Sequence, residues 1–390
     1  MHLNFFKALF LSLLSFSTLS CSSGSPIGPV GREFVVTFGG DVNFAHSLVS
    51  PSPDTVFTSS VLPLENTTAF LRHELTGDLN FINSETVVSA QDHDIQDKEF
   101  VFRSHPEQFD HLVDIGVNLF SLANNHAYDH GRPGMEATLE YFNRVAEVRG
   151  DILFAGVDVQ GVATAPQIQT INGVRVAFSA IGIGNPQFTP RSDAVGMSMF
   201  NAAGHWEQVL EGLAASDADF RILSIHLGAE NVNTVNAAEL RLVQRALEEG
   251  RVNLLLGHHP HVTRGVAADP DRGQAVFHSL GNLLFVGGAS RDHLPVGWDY
   301  GLFGKAYFQV TRSGVRLTAI EVLPLLGVNV APRPMDPERV GATLEHLSAL
   351  SRQTDGDRGV QFTQLQSDPT RGIACFGGPY GSAARQLCAN

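Results

Sequence analysis

Gly257-His258-His259-Pro260-His261-Val262 places three of the chain's 16 histidines within four positions. The run Val252-Asn253-Leu254-Leu255-Leu256 directly before it is short and apolar, the pattern of a buried strand. A buried strand that ends in a crowd of imidazoles has three explanations: metal ligation, anion binding, or a surface turn with no function. On an extended chain neighbouring side chains point to opposite faces, so His259 and His261 are expected to act together and His258 to stand aside. Pro260 between them stiffens the turn.

The same pattern recurs along the chain. Glu33 to Phe38 is β-branched and aromatic and breaks at Gly39-Gly40 before Asp41. Leu79 to Asn83 leads to Glu85, Leu119 to Ala123 to Asn124-Asn125-His126, and Phe220 to Ile225 to His226. Ala275 to Leu280 ends at Gly281-Asn282, and residues 305–325 alternate as a hairpin. Helical periodicity falls between these strands, at 108–115, 135–148, 206–213 and 237–249. Strand and helix in alternation predict an α/β fold with one large sheet or two.

Five strands thus end in groups that bind metals or move protons: Asp41, Glu85, Asn125 with His126, His226, and His259 with His261. Functional groups collect outside the carboxyl ends of strands in such sheets. Each has an ordinary explanation when taken singly. A strand-end Asp caps a helix, Asn124-Asn125 makes a turn, and a lone His sits satisfied in the core. Jointly they resemble the mixed oxygen and nitrogen donor set of a two-metal hydrolase.

Composition bounds the rest. The 390 residues are 43% hydrophobic and 17% charged, which is a folded globular chain. A net charge of -14 without a basic cluster excludes nucleic acid as a partner. Residues 1–21 read as an export signal whose apolar stretch is too short to span a bilayer. They end at Cys21, placed where a lipoprotein signal carries its acylated cysteine; ordinary signal cleavage is the alternative. Residues 22–32 would then be a flexible tether. The expected location is the bacterial cell envelope, as a membrane-anchored lipoprotein of the periplasm, outer membrane or cell surface. Cys375 and Cys388 remain as an even pair, and a disulfide between them would contribute roughly 3 kcal/mol by loop closure.

Six blocks carry a family resemblance: Gly40 to Ala45, Asn83-Ser84-Glu85, Ser121 to Gly131, His226 to Glu230, Gly257 to Val262, and Ser279 to Phe285. In this order they resemble the bacterial capsule-synthesis CapA family, which is similar to calcineurin-like metallophosphoesterases. The likeness covers about residues 33–325, with 326–390 read as an appended helix and tail. It implies a four-layer α/β sandwich, two mixed β-sheets face to face with helices outside. It further implies two divalent metal ions (Mn, Fe or Zn). Asp41 and His261 would hold one, Asn125, His226 and His259 the other, and Glu85 would bridge them. His126 would be the general acid, and Asn83, Asn124, Asp129, Glu230 and Asn282 would support the ligands or line the site. The chain departs from the pattern at Asn43, where metallophosphoesterases carry His, and at His46, where CapA-type sequences carry Arg.

The resemblance implies three functions. One is metal-dependent hydrolysis of a phosphoester, and a second is non-catalytic binding or export of an anionic capsule polymer such as poly-γ-glutamate. The third is metal-assisted cleavage of that polymer's amide bonds. The capsule synthesis machinery would be the partner. No nucleophile elbow, Walker loop or dinucleotide fingerprint is present, which removes those enzyme classes.

Overall fold

The computed structural model describes residues 31–44 and 63–388. The leader, Cys21, most of the expected tether and His46 lie outside the described residues. Two mixed sheets dominate the fold. The larger has ten described strands, and its main path starts at Thr363–Gln364, Gly372–Cys375, Gly314–Leu326 and Gly301–Thr311. It continues through Arg32–Asn43, Leu79–Ser84 and Leu119–Ser121 to Leu153–Ala155. The second runs Val266–Asp269, Gln274–Phe277, Leu254–His258, Phe220–His226, Val174–Gly182, Gln167–Ile171.

Side-chain alternation builds the layers. Phe34 meets Phe220, Phe38 meets Phe277 and Phe81 meets Phe178, with ring centroids 5.4, 4.6 and 6.1 Å apart, so these faces of the two sheets pack on each other. On the opposite face of the larger sheet, Phe120 stacks under Phe109 and Phe142 of the helices Pro106–Asp114 and Gly131–Arg149. Leu223 and Leu255, one residue out of step with the inward Ile222, Leu254 and Leu256, pack under His205–Ala215 and Ala237–Glu248. The result is the expected four-layer α/β sandwich. Burial of each large apolar side chain stabilises it by about 1.5–3 kcal/mol.

Two local features bring strand ends from both sheets to one level. The first strand continues past its glycines to Asn43, because Gly39-Gly40 form a bulge: Phe38 pairs with Phe81, but Asp41 pairs with Asn83. Three residues opposite two turn Asp41 onto the face it would otherwise miss. A Cβ on Gly40 would lie 1.7 Å from the Gly281 carbonyl oxygen, so only glycine permits this approach. The second feature is a crossing. The chain leaves the second sheet at Phe277 and re-enters the first at Asn282, whose neighbour across the ladder is Asp41.

Residues 326–390 are more than an appendage. The helix Pro337–Asp355 is followed by Gly372–Cys375, which pairs with Gly314–Leu326, and Cys375 is bonded to Cys388 with Cα atoms 5.9 Å apart. Arg371 ties this return to the sheet through Glu74 and Glu321, while Lys305 reaches Glu74 at 2.8 Å. Burial would push the Glu74 carboxyl up, but Arg371 and Lys305 outweigh it and hold it below its ordinary value. Glu74→Gln is therefore expected to cost about 2 kcal/mol in urea unfolding at pH 7, by leaving two nearly buried cations under-neutralised. A depressed carboxyl contributes stability above its unfolded pKa and loses it as pH falls through the folded value. The gap between variant and wild type should accordingly close below about pH 4. An equal gap at both pH values would refute this.

Candidate metal centre

The strand ends of the two sheets meet at one buried point. His226 and His258 are paired residues on adjacent parallel strands, so both face inward at the same level. Asp41 faces them from the other sheet, with His258 Nδ1 3.3 Å from Oδ1 and His261 Nδ1 3.4 Å from Oδ2. His258 is thus part of the cluster, contrary to the expectation from an extended chain. The strand reaches as far as His258 and aims it inward, and only then does the chain turn. His259 and His261 do not share a face by extension: their φ angles are 95° and 55°, in the left-handed region. Each costs on the order of 1–3 kcal/mol in a non-glycine residue, a strain concentrated at functional turns.

Glu85 lies in the middle. Its Oε1 is 3.4 Å from His226 Nε2, 3.9 Å from His261 Nε2 and 4.0 Å from His126 Nε2. The side chain is fully buried, and neither carboxylate oxygen has a hydrogen-bond partner among the described residues. One donor atom each from Glu85, His226 and His259 lie within 4.8 Å of one another, as do those from Asp41, Glu85 and His261. Glu85 belongs to both sets. His259 Nδ1 is likewise buried and unpartnered.

Around these, polar side chains fix orientation. Asn83 Nδ2 donates to Asp41 Oδ1 at 2.7 Å and lies 3.1 Å from His226 Nδ1. Asn125 Oδ1 is 2.7 Å from His226 Nε2. Asn282 Oδ1 takes His261 Nδ1 at 2.8 Å, which leaves Nε2 toward Glu85. Asn124 builds the turn instead, donating to the Ser84 carbonyl at 2.8 Å and accepting the His126 N–H at 3.1 Å. Asn43 is buried at the end of its strand, where its carbonyl accepts the Val286 N–H at 2.8 Å. Glu230 is exposed beyond the His226 strand, and its charge acts on Glu85, His259 and His261.

The electrostatics suit a cation site. Burial, then the charge of Asp41, pushes the Glu85 carboxyl well up. Burial would raise Asp41 too, but the imidazoles of His258 and His261 beside it hold it well below its ordinary value. Burial drives His226 well down and His259 to about 4, so both present neutral imidazoles. An orphaned buried carboxylate among neutral imidazoles and a second carboxylate is the donor set divalent cations take. The residues fit such ions.

His126 stands beside this cluster. Its Nδ1 is 2.6 Å from Asp129 Oδ2, so Nε2 is the nitrogen that faces Glu85. Burial lowers its pKa, with Asp129 pulling the other way and Lys98 adding to the fall. Lys98 is a site residue that the sequence does not signal, because its loop carries no periodicity. Its ammonium pairs with Asp129 and donates to the Asn125 carbonyl at 2.6 Å. The Phe102 N–H donates to Asp129 at 2.6 Å, and the Phe102 ring lies 4.1 Å from that of His126.

Residues 35–286, which contain every residue of this cluster, match the family described as bacterial capsule synthesis protein PGA_cap. The chain belongs to that family. It is 29% identical over 218 residues to the PGA biosynthesis protein CapA of Bacillus subtilis, covering 55% of each chain. It is 24% identical over 277 residues to a Mycobacterium tuberculosis protein described as "Probable polyglutamine synthesis accessory protein", covering 67% of this chain and 66% of the relative. The match therefore spans about half to two thirds of these relatives' lengths. Among solved structures, the calcineurin-like phosphoesterase YfkN of Bacillus subtilis aligns at a TM-score of 0.44 and 13% identity, covering 81% of this chain and 97% of that one. A phosphatase from Mycoplasma pneumoniae aligns at 0.43 and 14%, covering 76% and 94%.

The role of Lys98 can be checked without a substrate. Lys98→Met should speed hydrogen exchange at the Phe102 amide by at least about tenfold, since the loop loses one of its three bonds to Asp129 and the cation that neutralises that carboxylate. Lys98→Arg should retain most of the protection. Equal protection in the Met variant would mean that the loop is held without Lys98.

Proposed function

We propose that this chain is an exported, membrane-anchored, metal-dependent hydrolase of the phosphoester type that serves capsule or poly-γ-glutamate synthesis. The observation that carries the reading is Glu85, buried with both oxygens unpartnered between Asp41 and the imidazoles of His226 and His261. Asp41 and His261 would hold one divalent cation, Asn125, His226 and His259 the other, and Glu85 both; Mn, Fe and Zn all suit this mixed donor set. Bound there, the pair supplies Lewis acidity toward water and toward the substrate's phosphoryl oxygens.

The chain's own residues do the rest. Asn83 and Asn282 keep the carboxylate and imidazole donors in place. His126, oriented by Asp129, is the general acid in its imidazolium form: water adds to phosphorus, the P–O bond to the alcohol breaks, that oxygen takes the proton from Nε2, and the proton lost by the water restores the imidazolium. The dry surroundings of Glu85 strengthen each of these contacts.

A second reading is non-catalytic retention of an anionic capsule polymer. Asn43 favours it, since an amide at a position where metallophosphoesterases carry imidazole is a weaker donor. The capsule assignment itself is supported by family membership and by the names of the relatives. Hydrolysis of bis(p-nitrophenyl) phosphate by the Mn-loaded protein separates the two. The hydrolase reading predicts turnover that falls at least about 100-fold in His259→Ala/His261→Ala. Absence of turnover in a metal-replete wild type would remove the phosphoester reading and leave retention or amide cleavage of the polymer.

Anchoring rests on the sequence alone. Among the described residues no helix is long and apolar enough to cross a membrane. Attachment through acylated Cys21 predicts that Cys21→Ser moves the protein from the membrane fraction to the soluble one. Continued sedimentation with membranes would contradict it.

A further inference from the structure

Phe100 is 59% exposed, and it is the one aromatic ring among the large apolar side chains exposed in the described residues. A single exposed Phe is ordinary by itself. This one begins a continuous track of rings. Phe100 stacks on Phe102 at 6.5 Å and 27°, and Phe102 lies 4.1 Å from His126 and 5.2 Å from Phe285. Phe285 in turn lies 4.9 Å from His261. The track thus leads from solvent to the proton donor and to a proposed ligand.

The loop that presents it is fixed in place. Gln96 N–H donates to the Asp129 carbonyl at 2.9 Å, Phe102 N–H to its carboxylate at 2.6 Å, and the Lys98 ammonium pairs with the same carboxylate. Ile95, 56% exposed, stands on the same segment. Three bonds to one buried aspartate hold two large apolar side chains out in water, where their exposure is unfavourable. The arrangement is what an apolar ligand group needs and what a carboxylate-rich polymer would not use.

We propose that Phe100 and Phe102 form a stacking subsite for an apolar alcohol esterified to the scissile phosphate, either an aryl or a long-chain group. The proposal rests on the hydrolase reading above and narrows its substrate class. The phosphoryl group would sit among the imidazoles while the leaving alcohol lies along the rings, its oxygen beside His126.

Calorimetry on the Mn-loaded mature chain with three phosphonates tests this: methyl, phenyl and decyl. The wild type is expected to bind phenyl- or decylphosphonate about tenfold more tightly than methylphosphonate, the scale of one aromatic stacking contact. Preference for phenyl identifies a planar leaving group, and preference for decyl a chain. Phe100→Ser, which removes the exposed ring and keeps the Phe102–His126 contact, should abolish the preference and leave methylphosphonate affinity unchanged. Equal binding of all three by the wild type, or a preference that survives Phe100→Ser, overturns the subsite alone. Binding of none overturns the subsite and the hydrolase reading together.

Discussion

A carboxylate that is fully buried with no hydrogen-bond donor is expensive, and Glu85 is such a group. Leaving it unpaired costs several kcal/mol on general grounds. Among the described residues, neither a lysine nor a backbone amide bonds it to relieve that cost. The structure surrounds Glu85 instead with imidazoles, three of which approach Oε1 within 3.4–4.0 Å. Imidazole nitrogens gathered around a carboxylate are the donors that divalent cations take.

The fold converges on that point by several independent departures from regularity. The Gly39-Gly40 bulge turns Asp41 inward, and the left-handed residues His259 and His261 turn their rings back toward it. The crossing between sheets at 278–281 delivers Asn282 to hold His261. Lys98 and Asp129 orient His126 from a loop on another side of the centre. A chain folding only for stability has no reason to combine a bulge, strained turns and an unpaired carboxylate at one level of the sandwich.

Much of this was legible in the sequence, for identifiable reasons. Period-2 and helical patterns mark the alternating elements because each layer buries one face, and polar residues directly after apolar runs mark the strand ends. What failed was geometry that periodicity cannot encode. The alternation rule set His258 aside, yet the strand extends to that residue and aims it at Asp41. The first strand read as ending at its glycines, whereas they form a bulge inside it. Lys98, Phe100 and Phe102 sit in an aperiodic loop, so nothing local linked them to Asp129. Residues 326–390 read as an appendage because the pairing of Gly372–Cys375 with Gly314–Leu326 spans about fifty positions.

The central claim is that Glu85 is the shared ligand of two cations. Anomalous diffraction from crystals soaked in manganese tests it most directly. The account predicts two peaks flanking the Glu85 carboxylate, one within bonding distance of Asp41 and His261, the other of His226 and His259. No peak at Glu85 under saturating metal, with the carboxylate still buried, would contradict it.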